Sequence, residues 1–88
     1  MLTGKTKSGF KFKIDETVAD DMELLEDIAK ADKDTSHFPE VLTKILGEDQ
    51  KKSLYDHLRD ESGRVPIEAT INEFTEIMNL AGEKTKNS

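Results

Sequence analysis

Residues 10–14 alternate, with Phe10, Phe12 and Ile14 separated by Lys11 and Lys13. A period of two marks a half-buried strand, here with the phenyl rings inward and the ammonium groups outward. Ser8-Gly9 just before it is a turn signal. Leu2 to Lys7 then supplies the first arm of a hairpin over residues 1–14, with the bend at Lys7-Ser8-Gly9. A lone two-stranded hairpin is marginal in water, so its apolar face must rest on helices.

After Asp15 the period lengthens. Val18, Met22, Leu25, Ile28 and Ala29 recur at spacings of three and four, which predicts one face of a helix. Asp15 or Thr17 can cap it, and Asp15, Glu16, Asp20 and Asp21 place negative charge at the positive end of its dipole. Asp32 to Ser36 has no apolar residue and reads as a connection. A short second helix follows, with Ser36 as cap, Pro39 in the first turn, and Phe38, Val41, Leu42, Ile45 and Leu46 as its apolar face. Gly47 ends it, because glycine takes the left-handed conformation at little cost. A third, mostly polar helix is expected over Asp49 to Glu61, with Leu54, Tyr55 and Leu58 its apolar positions. Ser62-Gly63 stops it, and Pro66 suits the first turn of a fourth helix with Ile67, Ile71, Phe74, Ile77, Met78 and Ala81 inward. The pattern thus predicts a single domain, residues 1–88, of mainly α (α+β) class. It comprises a β-hairpin at 1–14, a bundle of about four helices over 17–81, and a flexible tail at 82–88.

Composition narrows the function classes. The chain has 88 residues and no cysteine, which excludes a disulfide framework, cysteine-ligated zinc, an iron–sulfur cluster and a thiol nucleophile. A small secreted domain without disulfides is unusual, so a reducing cytoplasm is expected. No apolar run is long enough to span a membrane, and residues 1–13 lack the apolar stretch of a signal peptide. The net charge of −6 is unevenly spread. Residues 1–13 carry four lysines and no acid, whereas residues 14–40 hold ten acids against Lys30 and Lys33. An acidic chain repels phosphate, so nucleic acid is not an expected partner.

Catalytic chemistry finds little support. Counted from Asp32 as a calcium loop, the position needing glycine holds His37 and the position needing glutamate holds Thr43. His57 has Asp56, Asp60 and Glu61 nearby on one helix, an arrangement that reads as weak ion pairing, and His37 shows no partner. Phosphate loops, dinucleotide fingerprints and nucleophile elbows are absent, and each glycine reads as turn or helix punctuation. No enzyme, cofactor or metal site is expected. Ile71, Phe74, Ile77 and Met78 read as core, yet so small a domain cannot bury every apolar stripe. Part of that stripe is therefore the expected partner-binding surface.

Two stretches point to a family. Lys5-Thr6-Lys7-Ser8-Gly9-Phe10-Lys11-Phe12-Lys13-Ile14-Asp15-Glu16, followed by Asp20 to Glu26, resembles the opening of tail assembly chaperones of long-tailed phages and prophages of Gram-positive bacteria. Leu54-Tyr55-Asp56-His57-Leu58-Arg59, Gly63-Arg64-Val65-Pro66 and the ending Lys84 to Ser88 resemble the same group, so the likeness runs over nearly the whole chain. It implies a protein that binds the tape-measure protein, keeps its apolar helical segments soluble and helps recruit tail-tube subunits. It further implies action in the host cytoplasm and absence from the mature virion. Many weak sites along a long client also favour self-association into a homo-oligomer. A different class of function competes with this one: a small acidic regulator, an antitoxin or DNA mimic, that sequesters a basic nucleic-acid-binding protein through the acidic block.

Overall fold

A computed structural model describes residues 2–86, apart from the side chains of 16, 19 and 83–86. Strands β1 (Leu2–Lys5) and β2 (Lys11–Ile14) pair antiparallel, with Leu2 opposite Ile14 and Lys5 opposite Lys11. Phe10, Phe12 and Ile14 are buried while Lys11 and Lys13 are exposed, as the alternation requires. The bend closes at Gly9, whose φ of 98° suits a residue without a side chain. Its N–H bonds the Thr6 carbonyl at 3.0 Å. Gly4 is not punctuation. It lies in β1 beneath the Phe12 ring, where a Cβ would stand 2.5 Å from Cζ.

The hairpin lays β2 on helix α2 (Phe38–Leu58) and β1 on helix α3 (Ile67–Lys86). Its aromatic face joins Val41, Leu42, Ile45, Leu46, Leu54, Phe74, Ile77 and Ala81 in one core, and Leu24 of helix α1 (Met22–Lys33) completes it.

The protein is therefore mainly helical with an N-terminal hairpin, but it has three helices where about four were expected. Gly47 does leave helical geometry, at φ 81° and ψ 165°, yet the chain resumes its helix at once and α2 runs on, kinked, to Leu58. Gln50 bridges this break. Its amide nitrogen donates to the Leu46 carbonyl at 2.7 Å and to the Lys13 carbonyl at 2.6 Å, while its amide oxygen accepts the Lys13 N–H at 2.7 Å. One side chain thus serves the kink and closes the outer edge of β2.

The first helix also departs from expectation. Residues Glu16–Ala19 form a 3-10 turn, the backbone breaks at Asp20, and α1 starts only at Met22. The break resets the helical phase. Leu24, Ile28 and Ala31 turn inward, and Met22 and Leu25 are left 69% and 58% exposed, with Ala29 exposed beside them. Ile67, also expected inward, is 67% exposed. At the other end, α3 continues to Lys86 instead of stopping near Ala81, and the rest of the expected tail, residues 87 and 88, lies outside the described residues.

A local motif recurs at the start of both 3-10 turns and in the turn after α2. In Asp15-Glu16-Thr17, Asp34-Thr35-Ser36 and Asp60-Glu61-Ser62, the aspartate Oδ1 accepts both the amide and the hydroxyl of the residue two places on. These bonds hold each carboxyl below the ordinary range. The Thr17 amide acts first at Asp15, the Ser36 hydroxyl at Asp34 and the Ser62 hydroxyl at Asp60. Asp21 caps α1, accepting the Glu23 N–H at 2.9 Å. Asp34, and not Ser36, thus anchors the 3-10 turn Thr35–His37 that leads into α2, and Pro39 sits in the first turn of α2 as expected.

Candidate functional site

Two open clefts are lined by residues of α1, both ends of α2, the linker after it and the first half of α3. The first, about 270 Å³, lies between Ile28 and Ala31 of α1 and Ile71 and Phe74 of α3, with Phe38 and Val41 of α2 contributing. The second, about 610 Å³, is lined by Phe38, Pro39 and Tyr55 of α2, Val65 of the linker, and Ile67 and Thr70 of α3, with Arg59 at its margin. Phe38 and Thr35 are common to both, so the clefts form a divided apolar groove along α3. The divider is fixed because the Phe38 ring meets Phe74 edge to face, with centroids 5.0 Å apart.

The four residues expected at the partner surface fall in different places. Ile71 and Phe74 line the first cleft. Ile77 is wholly buried in the core, and half-buried Met78 packs on that core outside both clefts. Phe38, Tyr55 and Ile67 were not foreseen as lining. A signal existed for one of them: Phe38 opens its helix directly after the polar run Asp32 to His37, where the core has not yet closed over the chain.

Two polar networks lie elsewhere, each around a histidine and a buried carboxylate. Asp27, 8% exposed on the inner side of α1, bonds the Lys44 ammonium and, at 3.1 Å, Nε2 of His37. Lys44 and then His37 hold the Asp27 carboxyl below the ordinary range, and Asp27 raises Lys44 in return. His37 also places Nδ1 3.5 Å from Glu40, so it is well partnered.

Under the hairpin bend, the Ser8 hydroxyl donates to Glu73 Oε1 at 2.8 Å, and Ser8 Oγ also lies 3.1 Å from Thr6 Oγ1 and 3.0 Å from His57 Nε2. His57 therefore faces the hairpin, its ring 5.7 Å from Phe10, instead of pairing along its own helix. Serine, histidine and glutamate are the parts of a hydrolytic triad, but the connectivity differs. The carboxylate holds the hydroxyl, not the imidazole, so the serine proton points away from the base that would have to take it. Glu73 is 7% exposed and its Oε2 has no hydrogen-bond partner among the described residues. The geometry makes this network a pin between the hairpin bend, α2 and α3.

Among the described residues, no cluster of three or more His, Cys, Asp or Glu side chains could hold a metal ion, and no helix is long and apolar enough to cross a membrane. No family model, curated protein or solved structure matches the chain.

Proposed function

We propose that this protein is a tail assembly chaperone, which binds the tape-measure protein, keeps its apolar helical segments soluble and helps recruit tail-tube subunits around it. The observation that carries the reading is the divided groove, open to solvent, with Ile67 67% exposed at one end. An amphipathic client helix docks through apolar anchors at spacings of three, four and seven, and a groove interrupted by one ring favours two anchors seated on either side of it. The charged exterior keeps the complex in solution, and binding of this kind requires no cofactor.

The charge distribution gives less support to a regulator of basic proteins. Of the ten acids in residues 14–40, Asp15, Asp21 and Asp34 are engaged as caps and Asp27 is paired inside. The acidic block is in part the way this chain starts its helices.

Co-expression with an otherwise insoluble tape-measure fragment tests the proposal. The expected result is soluble fragment with the wild-type chain and precipitated fragment with Ile67→Asp, whose exposed site tolerates the charge in the folded protein. A fragment that stays insoluble with the wild-type chain overturns the reading.

A further inference from the structure

We propose that the free edge of β1 is a second docking surface, and that its occupant is an acidic extended segment of a partner protein, added as a third strand. The site involves other residues than the groove and does not rest on it. Lys13 turns its N–H and C=O outward to Gln50, and the Thr6 N–H bonds the Phe10 carbonyl at 2.9 Å. Backbone groups alternate in direction along an antiparallel pair, so those of Thr3 and Lys5 point away from β2. They have no hydrogen-bond partner among the described residues. Gln50 closes the edge of β2 at Lys13, and no described side chain does the same for β1. An unpaired strand edge is a template on which another strand adds.

Charge selects the occupant. Thr3, Lys5, Lys11 and Lys13 share the exposed face of the hairpin, and Lys5 stands directly opposite Lys11. Like charges in that position destabilise a strand pair. None of these lysines has a carboxylate within ion-pair distance among the described residues. The carboxylates that reach the hairpin, Glu73 and Glu76, are engaged at its bend by the Ser8 hydroxyl and the Lys7 N–H. Asp15, just after β2, is engaged by Thr17. An acidic residue opposite Lys5 on an added strand meets both features at once, the open backbone and the uncompensated charge. A second copy meets only one. Its strands contain no acid, and pairing β1 with β1 would double the lysines on one face.

The test is an NMR titration of the isotopically labelled full chain with a synthetic peptide that alternates glutamate and valine, alongside the same peptide with its backbone nitrogens methylated. The expected result is amide shifts and slowed hydrogen exchange at Thr3 and Lys5 with the unmethylated peptide only. Lys5→Glu should bind about tenfold more weakly, its thermal midpoint held or raised because the opposition to Lys11 is gone. Thr3→Pro should also bind more weakly while staying folded, since an edge strand tolerates proline where the N–H faces solvent. Equal binding of the methylated peptide would reduce the effect to plain charge attraction and overturn the proposal, as would no binding of either. Protection at Lys11 in place of Thr3 and Lys5 would overturn it by moving the strand to the other edge. Self-association of the chain alone, abolished by Thr3→Pro, would make a second copy the occupant and overturn it too. None of these outcomes touches the groove, which is tested through Ile67.

Discussion

The hairpin side and the groove side of the α2–α3 pair are built from the same kinds of residue and finished differently. On the hairpin side the aromatic face is sealed: Phe12 covers Gly4, Gln50 closes the edge of β2, and Ser8, His57 and Glu73 pin the bend to both helices. On the groove side Phe38 stands on Phe74 with a cleft at either flank and Ile67 in solvent. The contrast separates two duties. Residues on the sealed side should govern stability and leave binding alone, and residues on the open side should do the reverse.

The largest effect should come from breaking the seal. Phe12→Asp places a charge in the apolar core and should cost more than about 3 kcal/mol, while Lys11→Asp on the solvent face should stay within about 0.5 kcal/mol. Thermal midpoints of the two variants check this, and equal midpoints would mean the two faces of β2 had been confused. Gly4→Ala is next. The added methyl forces the buried Phe12 ring from its place, an overpacking cost of about 1–3 kcal/mol, read from urea midpoints. Gln50→Ala leaves the Lys13 and Leu46 backbone groups without their partner and should cost about 1–2 kcal/mol. Hydrogen exchange at the Lys13 amide should rise in that variant before exchange at Leu42 does.

Acid sharpens the comparison at the α1 end. The Asp27 carboxyl sits below its unfolded value, which is about 3.9, because Lys44 and His37 hold the charged form. A depressed carboxyl contributes stability that is present above the unfolded value and lost as pH falls through the folded one. Asp15, Asp34 and Asp60 are depressed in the same direction and share the loss. Stability measured by urea unfolding should therefore fall below about pH 4, and Asp27→Asn should shallow that fall without abolishing it. An unchanged acid slope in Asp27→Asn would show that the buried pair contributes nothing.

What the sequence disclosed followed the same division. The hairpin was legible because strict alternation leaves a strand one way to bury its phenyl rings. The inner stripe of α3 through Phe74, Ile77 and Ala81 was legible because nothing interrupts its period. Helix α1 was misread because Val18, Met22, Leu25 and Ala29 keep a helical spacing across a break that only the backbone at Asp20 reveals. Gln50 could not be foreseen, since its partners at Lys13 and Leu46 are set by tertiary approach. The groove was foreseen only in part, as Ile71 and Phe74 of the α3 stripe, because its division depends on how Phe38 meets Phe74. His37 lacked a visible partner, and His57 was read as pairing along its own helix, for the same reason: Asp27 and Ser8 reach them through the fold.

The central claim is that the open side binds an apolar helical client, and one measurement tests it most directly. A tape-measure fragment is pulled down by the wild-type chain and by Ile67→Asp, at low salt and again at about 0.5 M, where charge attraction is screened within a few ångströms. Because Ile67 is exposed, its variant should keep the wild-type thermal midpoint. The account predicts that the wild type retains the fragment at both salts and that Ile67→Asp loses it at both. Retention by Ile67→Asp, or loss by the wild type at the higher salt, would contradict it.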